Sequence, residues 1–166
     1  MLTAEFFVHG VPTPQGSKSA WVNPKTGRAV IIDGGTTKTQ KAHKTWRRTV
    51  HEATQTWIAE NEPWLSLDEP VKVRLHFLMP PITTQPNRVM HATKPDVDKL
   101  VRAVFDSLTS AGLVRDDSRF CTLEAIKEYA ECEADAGCLV SIFALGRVER
   151  TLSTARRMTR LATVAR

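Results

Sequence analysis

The sequence predicts an α/β (α+β) fold in which a mixed β-sheet packs against two main helices. Three observations carry this. Residues 70–79 alternate, with Val71, Val73, Leu75 and Phe77 on one face and Lys72, Arg74 and His76 opposite, the period of a half-buried strand. Val97, Leu100, Val101, Val104, Phe105 and Leu108 fall at i, i+3, i+4, i+7, i+8 and i+11, the apolar stripe of an amphipathic helix. Along the chain the signals run strand, helix, strand, helix, strand, strand, an order that suits a mixed sheet.

Residues 4–11 alternate as a strand that Pro12 and Pro14 close. The segment Gly16 to Gly35 is rich in Gly, Ser, Lys and Asn and holds short apolar runs at Trp21-Val22 and Ala29–Ile32, which suits a loose hairpin or mobile loop. A helix follows, with Thr37-x-x-Gln40 as its capping box. Ala42, Trp46, Val50, Ala53 and Trp57 form its buried stripe, and Lys38, Lys41, Lys44 and Arg48 point away. That basic face is either solvated or laid along a phosphate backbone. Pro80-Pro81 ends the 70–79 strand, and residues 82–95 form a loop. Pro95 disfavours helix at Lys94, so Asp96 becomes the N-cap of the second helix, and Gly112 marks its stop. A second pair of strands is expected at about 119–130 and 137–145, joined by Glu131 to Gly137.

A chain of 166 residues with 42% hydrophobic content buries one core. Its three cysteines, an odd number without Cys-x-x-Cys spacing, argue against a disulfide framework. Cys132 and Cys138 flank an acidic turn but lack histidines at ligand spacing, which argues against zinc. His9, His43, His51, His76 and His91 are scattered and suit surface or packing positions for the most part, with His76 and His91 the two to watch. No apolar run approaches the ~18 residues of a membrane span and the start lacks a signal-peptide pattern, so a cytoplasmic protein is expected. Net charge is +5, and residues 147–166, with six arginines and one glutamate, carry all of it. Val148, Leu152, Ala155, Thr159 and Ala162 fit one weakly apolar helical face there. Two readings of this basic tail stand: it follows nucleic-acid phosphates, or it packs with its arginines outward.

Chemistry concentrates in Lys94-Pro-Asp-Val-Asp-Lys-Leu-Val-Arg-Ala-Val-Phe-Asp106, followed by Asp116-Asp117. Asp96 and Asp98 stand at the mouth of the helix, Arg102 lies one turn in, and an acidic pair returns from the next loop. Clustered acids repel one another unless protons or a divalent cation neutralise them, so the arrangement reads as a Mg²⁺ site that works on phosphates. At 100° per residue, Asp98, Arg102 and Asp106 run along one polar edge beside Phe105. An aspartate at an N-cap, an Asp/Arg pair at i,i+4 and an Asp-Asp turn are also ordinary parts of helices and turns. On these residues alone both readings are open.

The string Lys94-Pro95-Asp96-x-Asp98-x-Leu100-x-Arg102, then Asp106, Ala111-Gly112-Leu113 and Asp116-Asp117, resembles the RusA family of Holliday-junction resolvases. Gly10-Val-Pro12-Thr-Pro14-Gln15-Gly16-Ser17-Lys18 is similar to the opening segment of phage-type members, and the likeness runs from residue 5 to about residue 145. Lys99 stands where the family usually has Asn, and Arg102 where it usually has Lys. The resemblance implies a RusA-like nuclease domain over residues 1–146, with residues 147–166 as a basic helical tail. It implies a bacterial or phage-encoded homodimer that cuts four-way DNA junctions by paired symmetric nicks with Mg²⁺, or Mn²⁺ in its place. Asp96, Asp98 and Asp117 would hold the metal and Arg102 would join them in catalysis, with Asp116, Asp106 and Lys94 in support. Lys18, Lys38, Lys41, Lys44, Arg48 and Lys99 would contact DNA. The alternative is a junction-binding protein of the same fold that cleaves weakly, because Lys99 beside Asp98 competes with the metal for the carboxylate.

Overall fold

The structure is a computed structural model that describes residues 2–16, 18–33, 36–84 and 87–146. The expected helical tail at 147–166 and the side chain of Lys18 lie outside what is described. In chain order the elements are β1 (Leu2–His9), β2 (Lys18–Val22), β3 (Ala29–Asp33), α1 (Thr37–Glu60), β4 (Val71–Met79), α2 (Val97–Ser110), β5 (Phe120–Tyr129) and β6 (Gly137–Ala144). Short 3-10 turns at Asp117–Arg119 and Glu133–Asp135 precede β5 and β6. The first strand lies two residues earlier than its sequence pattern suggested, and β2 with β3 makes the expected hairpin as a two-stranded sheet of its own.

The main sheet has the order β1-β6-β4-β5, with β4 parallel to β5 and antiparallel to β6. It is mixed, as expected from the order of signals. The expected pair of β5 and β6 does not form, because β4 lies between them. Burial accounts for the difference. Val71, Val73, Leu75 and Phe77 are fully enclosed, as are Cys138, Val140 and Ile142, so β4 and β6 take the centre of the sheet. Strand β5 carries Lys127 and exposes Leu123, and it suits an edge. Gly137 opens β6 where a Cβ would run into the carbonyl oxygen of Val8 and, at 2.5 Å, the Phe7 ring.

Both helices share the core with one face of the sheet, through Trp46 and Val50 of α1 and Leu100, Val101, Val104 and Leu108 of α2. On the other face the charges pair among themselves. Lys72 Nζ and Arg74 Nε reach Glu124 at 3.0 and 3.1 Å, and His76 Nε2 lies 2.7 Å from Glu128. Helix α1 starts one residue before the expected box: Thr36 is its N-cap and accepts from the Thr39 amide. Trp46, Val50, Ala53 and Trp57 belong to its core side, but Ala42 is exposed beside the depression lined by Gly10, Val11 and Thr13, and Thr54 is buried with its hydroxyl bonded to the Val50 carbonyl. Helix α2 starts after Asp96 as predicted and stops at Gly112, whose φ of +84° is the left-handed conformation glycine adopts freely.

Candidate functional site

The segment leading into α2 is fastened to β5. The His91 amide donates to the Lys127 carbonyl at 3.1 Å, and the Tyr129 amide to the Val89 carbonyl at 2.8 Å. From the core-facing side of β5, in line with Phe77 of β4, Lys127 sends its ammonium to the carbonyl oxygens of Thr93 and Pro95, at 2.7 and 2.6 Å. Two charge-assisted bonds thus fix the backbone immediately before Asp96. The sequence reading passed over this lysine, although period-2 alternation through β5 places it inward, where an unpaired charge would be costly.

Asp96 sits in the N-cap position with extended backbone, φ −69° and ψ 138°, but its side chain accepts no bond from the helix amides. Lys99 takes it instead, with Nζ 2.9 Å from Asp96 Oδ2, because an ammonium at i+3 competes with neutral amides for the same oxygens. The Lys99 bond and charge, helped by Lys94 and Lys127, hold the Asp96 carboxyl below the usual carboxylate range. Asp96 in turn raises the Lys99 ammonium, with a smaller contribution from Asp98. The Lys99 carbonyl accepts from the Gln15 amide at 3.0 Å, so the strand-to-hairpin segment crosses the first turn of α2. Pro14, Lys94, Pro95, Asp96 and Lys99 line an open cleft there.

Asp116 and Asp117 divide their work. Asp116 Oδ1 accepts the Ser118 amide at 2.9 Å and caps the 3-10 turn, and the Ser118 hydroxyl together with that amide lowers its carboxyl. Asp117, the first residue of the turn, is exposed, and no ion pair claims it among the described residues. Arg119 and Arg115 both bind Asp68, which ties this turn to the segment before β4 and holds the Asp68 carboxyl below its usual range. Phe105 stacks on Phe120 with ring centroids 4.0 Å apart, drawing the start of β5 against the middle of α2.

Of the residues singled out by sequence, Lys94, Asp96 and Lys99 share one cleft, and Asp98 lies exposed beside them on the first turn. Asp117 belongs to the turn beyond the far end of α2. Among the described residues, no three Asp, Glu, His or Cys side chains gather closely enough to hold a metal ion by themselves. Arg102 is exposed without an ion pair within 4 Å, again among the described residues. Asp106 turns away from the acids towards α1, with its carboxylate 3.8 Å from Arg47. Lys38, Lys41, Lys44 and Arg48 are exposed on α1. The first two line a depression with Gly10, Val11 and Thr13, and the others line one with Arg47, His51 and the end of α2.

Residues 13–137 match the family described as Endodeoxyribonuclease RusA. The chain belongs to the RusA family. Comparison with curated proteins gives no match. RusA proteins are Holliday-junction-resolving endodeoxyribonucleases that depend on a divalent metal ion, and this chain shares that activity class. The donors here suit such an ion. Asp96, which caps no helix amide and shares one oxygen with Lys99, lines an open cleft, Asp98 is exposed two positions on, and a small hydrated cation needs only one or two carboxylates when phosphate and water complete its shell. The RusA match spans both acidic motifs and α1, and it stops where β6 begins. Among the described residues no helix is long and apolar enough to cross a membrane.

Proposed function

We propose that this RusA-family nuclease resolves four-way junctions with Mg²⁺, as a homodimer that makes paired symmetric nicks. One observation supports the site assignment: Asp96 occupies a capping position without capping, in a cleft it shares with Lys94 and Lys99, and Asp98 is exposed two positions on. Asp96 and Asp98 would hold the ion, joined by Asp117, which one chain sets beyond the far end of α2 and which the partner in the homodimer would therefore have to bring. When bound, the ion would supply a water that gives up its proton near neutral pH and so becomes nucleophilic, together with positive charge for the departing oxygen. The chain supplies position and further charge. Lys127 fixes the backbone of the acidic motif, Lys94 and Arg102 offer cations to the phosphate oxygens, and Asp116 holds the turn that presents Asp117. The basic face of α1 would guide a duplex arm by phosphate contacts that do not read sequence. A two-fold pair of such sites suits a substrate with two equivalent strands to cut.

Asp96→Asn and Asp98→Asn should each abolish Mg²⁺-dependent cleavage of a synthetic four-way junction while binding it as tightly as wild type or more so. Each loses a metal ligand and a repulsion against phosphate together. Full turnover in either variant would refute the assignment. The weakly cleaving alternative draws support from Lys99, whose ammonium already occupies Asp96. It predicts junction binding by the wild type without appreciable nicking at any Mg²⁺ concentration.

A further inference from the structure

The Lys99–Asp96 contact sets a cation on a carboxylate that the preceding reading gives to a metal ion, and the inference below rests on that reading. We propose that the cleft lined by Pro14, Lys94, Pro95, Asp96 and Lys99 is a phosphate subsite in which Lys99 exchanges Asp96 for a DNA phosphate, leaving the carboxylate to the ion only once substrate has arrived. Three observations support it. Lys99 Nζ lies 2.9 Å from Asp96, yet its side chain is 40% exposed, and an ammonium has three donors of which this contact uses one. Lys94 also lines the cleft, so a phosphate entering there meets two cations. The Lys99 backbone is pinned by the Gln15 amide, so the exchange needs only rotation of the side chain and no movement of α2.

The exchange makes Lys99 oppose metal binding and favour DNA binding, two effects of opposite sign at one residue. In DNA-free protein a calorimetric Mn²⁺ titration should show Lys99→Met binding the ion about two- to fivefold more tightly than wild type, the range expected for an exposed ion pair. With EDTA present, the same variant should bind a four-way junction more weakly. Its slope of log affinity against log salt should fall by about 0.9, the value of one phosphate contact on duplex DNA. Lys99→Arg, which keeps the charge, should stay close to wild type in both measurements. Asp96→Asn separates the two layers. If it binds Mn²⁺ as well as wild type does, the metal-site reading is wrong. If it loses Mn²⁺ while Lys99→Met matches wild type, the site stands and the exchange is overturned. A Lys99→Met variant that melts earlier but keeps wild-type Mn²⁺ and junction affinities would show that Lys99 only braces the helix, and would overturn the exchange equally.

Discussion

Replacing Lys127 with methionine tests whether the acidic motif must be held from β5. The change keeps the aliphatic stem and removes two charge-assisted bonds, to the Thr93 and Pro95 carbonyls. Such bonds contribute roughly 1.5–3 kcal/mol each when both partners stay desolvated. Thr93 is exposed, so water takes its place there, whereas Pro95 is only partly exposed and its carbonyl is satisfied less well. The net loss should be about 2 kcal/mol, a fall in melting temperature of about 4–8 °C for a chain of this size. The loosened segment runs directly into Asp96. If the same 2 kcal/mol is taken from the population with the motif in place, kcat falls by up to about 30-fold. Junction affinity in EDTA should change little, because Lys127 faces the core side of its strand. Lys127→Arg, able to span two carbonyls with one guanidinium, should recover part of both losses. Melting curves and single-turnover cleavage at saturating Mg²⁺ give the two numbers. Wild-type kcat in Lys127→Met, whatever its melting temperature, would refute the positioning role.

Three other outcomes follow from the geometry. Asp117→Asn should raise the Mg²⁺ requirement for cleavage more than Asp116→Asn, since Asp116 is occupied with the Ser118 amide; the reverse order in Mg²⁺ titrations would put the ligand at 116. Burial, with the Lys127 charge, holds the His91 imidazole below its ordinary 6.5, so the unfolded chain takes up the proton more readily and stability falls as pH drops through and below that value. Melting temperature should therefore decline from pH 7 towards pH 5.5, and His91→Phe should flatten that decline; an unchanged slope in the variant would assign the decline to other groups. Gly137→Ala forces a methyl against the Val8 carbonyl and the Phe7 ring and should cost about 2–3 kcal/mol, read as a loss of roughly 4–12 °C, and an unchanged melting curve would contradict the tight β1–β6 contact.

Period made much of the architecture readable. Strand β4 and helix α2 both bury one face, and burial on one face writes itself into sequence as alternation or as a 3.6-residue stripe. Pairing left no such mark. Strands β5 and β6 adjoin in the chain across a short loop, and nothing local reports that β4 enters between them, since the reason lies in how completely β6 is enclosed. Asp106 was placed with the acids for a related reason. Its helical angle is compatible with that edge, but Arg47 comes from another helix and no spacing within α2 announces it. The choice of Thr36 over Thr37 as cap turns on which hydroxyl meets an amide three residues on, a matter of one backbone rotation. In the site, Asp96 and Asp98 were legible because carboxylates at a helix mouth are chemically conspicuous. Lys127 was missed because its role is to hold carbonyl groups, which the sequence does not display.

The arrangement of the main sheet also bears on when the enzyme becomes active. Its pairings join Val71 to Phe120, Val71 to Ala144 and Leu2 to Phe143, so even the nearest partners lie some fifty positions apart, and the local hairpin of β2 and β3 stands outside it. Ordering chain over such spans precedes any reward from the contacts, which makes assembly slow and all-or-none. The grip of Lys127 on the acidic motif can close only after β5 has docked on β4, and β6, which stands beside β4 on its other side, is the last described strand to leave the ribosome. A partly folded chain would thus carry every acidic residue and still lack the Lys127 bonds that hold the backbone before Asp96.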